Sequence, residues 1–244
     1  MRVACLAIGL IWAASSAAEV LYRLPWPEGL SFMFTQVSDG RITSHITMAT
    51  LHAVDIAMPE GVPVLAARAG TVEATESRHG ASPEEDPLSY EGNFVRVRHS
   101  DGSAAIYAHL KHHGVAVTLG EAVAPGQLLG YSGASGDVLE SQLHFAVVHV
   151  RTDSSGLRED VSVPVKFYVG VPPVVFSPRA ALWVTANYSG TAEAPRTARE
   201  ARPLSPWERP ALEPGEEARV WCLAALWLAC GAAALGWFWK FSKQ

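Results

Sequence analysis

Between residues 62 and 150 short apolar runs recur, at Val62 to Ala67, Phe94 to His99, Ala104 to His109, Val115 to Val117, Gln127 to Tyr131 and Leu143 to Val150. Turn signals such as Ser100-Asp101-Gly102 and Ala124-Pro125-Gly126 separate them. Runs bounded in this way predict strands, and their spacing predicts a mainly β protein, a compact antiparallel sandwich or barrel. Residues 78–92 are polar and rich in chain breakers, which predicts a long surface loop of the kind that borders binding sites. Residues 171–188, with Val174-Val175-Phe176 and Ala181-Leu182-Trp183-Val184, are compatible with two last strands or with a segment docked on the domain.

Unbroken apolar stretches mark the two ends instead. Residues 3–15 form a short apolar core after Arg2 and lead into Ser16-Ala17-Ala18, so residues 1–18 are expected to be a signal peptide cleaved after Ala18. Val220 to Trp239 has the length of a bilayer-spanning helix, with Trp221, Trp237 and Trp239 near its ends and Lys240 and Lys243 directly after it. Positive residues favour the cytoplasmic side. The expectation is a single-pass protein of the inner (cytoplasmic) membrane, with residues 240–244 inside and the domain in the periplasm or outside. Residues 190–218 carry five prolines and alternating charges, which predicts an extended linker. The domain proper is then 19–170, with 171–189 as its extension.

The 244 residues, 49% apolar, are enough for one catalytic domain of ordinary size beside these appendages. Nineteen Lys and Arg face 24 Asp and Glu, and no basic cluster with interleaved aromatics occurs, which argues against nucleic acid as a partner. Cys5 lies in the leader and Cys222 and Cys230 in the expected span, so no disulfide framework holds the domain. No Gly-x-Ser-x-Gly elbow is present, and Ser132 and Ser135 sit in a glycine-rich loop, which excludes them as nucleophiles.

The chemistry gathers around Asp55. This carboxylate stands among Val54, Ile56 and Ala57, where a charge needs a partner, and His45 and His52 precede it. Histidine and aspartate together in such a place point to a divalent metal, zinc being the usual choice for nitrogen and oxygen ligands. A third ligand is offered by Gln142-Leu143-His144-Phe145, where the period of two puts Gln142 and His144 on one face and Leu143 and Phe145 on the other.

These histidines, followed by Asp55-Ile56-Ala57-Met58-Pro59-Glu60-Gly61, Tyr107-Ala108-His109-Leu110, Gly126-Gln127-Leu128-Leu129-Gly130 and Leu143-His144-Phe145, resemble the lysostaphin/LytM-type peptidoglycan metallopeptidases over about residues 36–168. The resemblance implies Zn²⁺ bound by a first histidine, Asp55 and His144, with His109 assisting catalysis. It also implies peptide cross-links of the bacterial cell wall as substrate. The family's His-x-x-x-Asp spacing falls on Leu51, which cannot bind a metal. His52 stands three residues before Asp55 and His45 an even ten, and some family members resemble this chain in having Ser-His, a short insertion and then an Ala-x-Asp-Phe-Ala-Met-Pro run; that resemblance favours His45 as first ligand, with His52 as the alternative. Where the family has another histidine this chain has Gln142, which can orient a water or an oxyanion but cannot exchange a proton near neutral pH. The expected function is a membrane-anchored zinc metalloendopeptidase. The alternative is a catalytically impaired relative that binds the wall as a scaffold or regulates an amidase, and a cell-wall amidase or a division or elongation factor is the expected protein partner. His112 and His113 are expected in an exposed turn, and His79, His99 and His149 are given no role.

Overall fold

Strand β10, Gln142–Thr152, decides how the molecule is layered. Leu143, Phe145 and Val147 point into the main hydrophobic core, while Gln142, His144 and Ala146 share the opposite face. The computed structural model describes residues 19–38, 44–80 and 92–197. The expected signal peptide at 1–18, most of the 78–92 loop, the linker from 198 on, the span at 220–239 and the tail at 240–244 lie outside the described residues.

The other strands, in chain order, are β1 (Ser31–Gln36), β2 (Val54–Ala57), β3 (Pro63–Leu65), β4 (Gly70–Glu76), β5 (Phe94–Arg98), β6 (Ala104–Ala108), β7 (Leu110–Val115), β8 (Ala122–Val123), β9 (Leu128–Ser132), β11 (Arg158–Ser162), β12 (Phe167–Val169), β13 (Val174–Phe176), β14 (Leu182–Thr185) and β15 (Arg196–Thr197). The described residues hold no helix, as the sequence pattern predicts. The main sheet runs β15-β14-β1-β2-β10-β6-β5-β4-β8, and neighbours along this order pair antiparallel. Strand β10 lies between β2 and β6 in its first half and pairs with β11 in its second. Two smaller sheets, β3-β9-β7 and β12-β13, contribute Val64, Leu129, Leu110 and Phe167 to the same core.

Aromatic rings run through that core in sequence. Trp26 meets Phe34, Phe34 meets Phe167, Phe167 meets Phe145 and Phe145 meets Tyr107, with ring centroids 5.2–6.2 Å apart. Tilted or edge-on pairs at this separation add to the effect of burial itself. Tyr22, Leu24 and Trp26 are buried, so the domain begins well before residue 36. At the other end β14 pairs with β1, which makes the 171–188 segment two strands. The expectation of a linker from 190 onward needs correction, because Arg196–Thr197 pairs with Leu182 and Trp183 and extends the sheet edge. The turn expected at His112 and His113 is also a strand, β7, despite the left-handed backbone of His113 at φ 53°.

The β10–β11 hairpin is tied to the sheet by charge. Arg96 of β5 donates through both Nη1 and Nη2 to the carboxylate of Asp160 on β11, and its Nε donates to Glu73 on β4 at 3.2 Å. Arg98 donates to the other oxygen of Glu73.

Phe145 is fully buried at the centre of the aromatic series. Phe145→Ala is expected to destabilise the domain by about 3–5 kcal/mol, read as a lowered midpoint in urea unfolding.

Candidate metal centre

Register brings the central charges together. In the β2–β10 ladder Asp55 lies directly opposite His144, and on the other side of β10 His144 lies opposite Ala108. His144 Nδ1 is 2.8 Å from Asp55 Oδ1. His45 arrives from outside the sheet. Ser44 N donates to Gln36 Oε1, and turns between Thr47 and Ala53 fold the intervening chain back, so that His45 Nε2 stands 3.1 Å from Asp55 Oδ2.

Asp55 is 1% exposed and His45 4%. Burial pushes the Asp55 carboxyl up, but hydrogen bonds and positive charge from His144 and His45 outweigh it and hold the group well below the usual carboxylate range. Asp55 is therefore an anion at any functional pH, buried between two imidazoles. One ligand atom from each of His45, Asp55 and His144 lies within 4.8 Å of the others. Two nitrogens and one carboxylate oxygen, with a cleft on their open side, fit zinc with a position left for water or substrate.

His52 is elsewhere. Its N–H donates to Ser162 Oγ, and it lines a separate cavity that also includes Val54, whose side chain belongs to the core. His45 is the histidine that the fold brings to Asp55 and His144.

His109 joins the same cleft from the junction of β6 and β7. Its backbone is left-handed, φ 64°, an uncommon state for a residue with a side chain, and three groups hold it there. Asn93 accepts from Leu110 N through its own carbonyl and donates from Nδ2 to Leu110 O at 3.1 Å. Ser135 Oγ donates to Leu110 O at 2.6 Å and accepts from Asn93 N at 2.9 Å. His109 Nδ1 donates to Ser135 O at 2.8 Å, which commits that nitrogen and leaves Nε2 as the lone-pair nitrogen. Burial lowers the His109 pKa, the bond to Ser135 opposes this, and the nearby His144 lowers it further. Gly136 makes room for the ring, since a Cβ there would meet His109 Nδ1 at 3.1 Å.

Gln142 lines the same cleft, which has a volume of about 520 Å³. Ser132 and Ser135 donate their hydroxyls to backbone carbonyls, as structural groups do. His112 and His113 are exposed on β7, with His112 Nδ1 donating to the carbonyl of the buried His79. His99 is buried and donates from Nδ1 to Ala69 O.

Residues 50–155 match the family model described as peptidase family M23. This stretch, somewhat under half of the chain, is similar to peptidase family M23. Asp55, His109, Gln142 and His144 fall inside the matched stretch, and His45 falls just before it. The chain is similar to the cell division protein DipM of Caulobacter vibrioides, 33% identical over 41% of this chain and 14% of DipM. It is also similar to the peptidoglycan DD-endopeptidase ShyA of Vibrio cholerae, 31% identical over 46% of this chain and 25% of ShyA. The chain thus spans a quarter or less of the length of these curated relatives. Among solved structures, lysostaphin from Staphylococcus simulans is 24% identical with a TM-score of 0.38, over 53% of this chain and 47% of that one. A zinc-containing peptidase from Vibrio cholerae is 22% identical with a TM-score of 0.39, over 59% of this chain and 39% of that one.

Asn93 and Ser135 escape a reading of the sequence for chemistry, because neither titrates near neutral pH and their partners lie far along the chain. The Gly92-Asn93 pair before a strand was the available signal. Asn93→Ala leaves the buried N–H of His79 without its acceptor. It is expected to cost about 1–3 kcal/mol in urea unfolding, with metal affinity unchanged because His45, Asp55 and His144 share none of these bonds.

Proposed function

We propose that this chain is a zinc endopeptidase that hydrolyses peptide cross-links of bacterial cell-wall peptidoglycan, anchored by residues 220–239 and facing outward from the inner membrane. The observation that carries the proposal is the convergence of His45, Asp55 and His144 with an oriented His109 in one cleft. The name of ShyA, a peptidoglycan DD-endopeptidase, supports the substrate class. The apolar run at 220–239 with its flanking lysines supports the anchor.

His45, Asp55 and His144 would hold the zinc, which when bound would supply Lewis acidity toward water and a carbonyl. His109 Nε2 takes the proton from the attacking water and returns it to the leaving amine, with Nδ1 held by Ser135 throughout. Gln142 donates an amide N–H toward the oxygen on which negative charge grows, and it moves no proton. His109 alone then carries the acid–base work.

The second reading, an impaired M23 protein that binds the wall or regulates an amidase, rests on Gln142. The name of DipM, a cell division protein, is in keeping with that reading.

Fragment release from purified peptidoglycan by the zinc-loaded full-length chain separates the two. Release that disappears in His109→Ala is the expected result. Release only after Gln142→His supports the scaffold instead. Because burial holds the His109 pKa below its usual 6.5, the neutral base persists as pH falls through that value. The acid limb of kcat/KM is expected below pH 6.5, and a limb above it contradicts the assignment of His109 as base.

A further inference from the structure

Beyond the metal centre, two charged side chains line the cleft, Asp137, which acts electrostatically on His109, and Arg96. Arg96 is the one Lys or Arg side chain that lines it among the described residues, and its side chain is 14% exposed. Its carboxylate partners Asp160 and Glu73 are absent from the cleft lining and hold the guanidinium from outside it. Three of the five guanidinium N–H groups are committed to these carboxylates, so two remain. Clamped on that side, the planar group keeps its orientation without further cost when a ligand arrives.

We propose that Arg96 is a specificity residue that binds a carboxylate of the substrate peptide at a fixed distance from the scissile bond. The proposal rests on the wall-peptide reading of the cleft. Register sets the distance. Arg96 lies opposite Ile106, Ile106 lies opposite Ala146, and Ala146 is two residues beyond His144. Two strand spacings and two residues along the strand place the Cα atoms of Arg96 and His144 about 12 Å apart. An extended peptide covers that distance in about three to four residues. The floor between is made by Phe94, Ile106, Ala108 and Ala146, which present no competing charge. A peptide laid along it meets zinc ligands at one end and a cation at the other. The selected substrates are those with a free carboxylate within about three residues of the cut, whether a chain terminus or a side chain.

The test compares a cross-linked wall peptide bearing free carboxylates with the same peptide amidated at those groups. Dissociation constants are measured with the metal-stripped full-length chain, and kcat/KM with the zinc-loaded one. Wild type is expected to bind the free-carboxylate form about tenfold or more tightly, as for a charge-assisted hydrogen bond. Arg96→Gln is expected to abolish the preference. Arg96→Lys, which keeps a cation but not the fork, is expected to retain part of it. Asp160→Asn frees N–H groups of Arg96 and is expected to keep the preference or enlarge it. Equal binding of the two peptides by wild type, binding of neither, or Arg96→Gln and Asp160→Asn weakening both peptides alike would overturn the proposal. The last outcome would make Arg96 a structural tie for the hairpin. A preference in binding without hydrolysis would leave the anchor standing and remove the endopeptidase reading, whereas hydrolysis without preference would do the reverse.

Discussion

The structure depends on one buried anion, the Asp55 carboxylate between His144 on the neighbouring strand and His45 on the preceding loop. Leaving that charge unpaired in the sheet would cost more than a domain of this size has to spare. The β2–β10 register is consequently not free to slip. A shift of β10 by one residue would turn His144 to the core face, away from Asp55, and bring Phe145 out. The same alternation that fills the core with Leu143, Phe145 and Val147 therefore builds the ligand set on the reverse side.

His109 shows a different kind of constraint. A left-handed histidine between two strands is unfavourable alone, and the fold maintains it with Asn93, Ser135 and the space left by Gly136. The carbonyl that accepts from His109 Nδ1 belongs to that network, so one set of buried hydrogen bonds fixes both the position of the ring and its tautomer. Rigid strands and satisfied polar partners around the reacting groups are what hold such geometry closely enough for catalysis.

Much of this was legible in the chain. A carboxylate in an apolar run announced a buried partner, and the period of two put Gln142 and His144 on one face. The two histidines before Asp55 were harder, because parity holds only along a straight strand and His45 is separated from Asp55 by turns. His52, close to β2, follows the parity rule and faces away with Val54. The polar network around His109 and the tie between Arg96 and Asp160 join residues far apart in sequence, so no local pattern reports them. The strand at Arg196–Thr197 was hidden for another reason. Its proline- and charge-rich surroundings carry no apolar alternation, and the strand forms because the edge of β14 offers it partners.

The most direct test of the account is zinc bound per full-length chain, measured for wild type and for His45→Ala, Asp55→Ala and His52→Ala. One zinc in wild type and in His52→Ala, with loss in the other two, is the result predicted by the pairing of His45 and His144 around Asp55. Zinc retained by His45→Ala and lost from His52→Ala would contradict it.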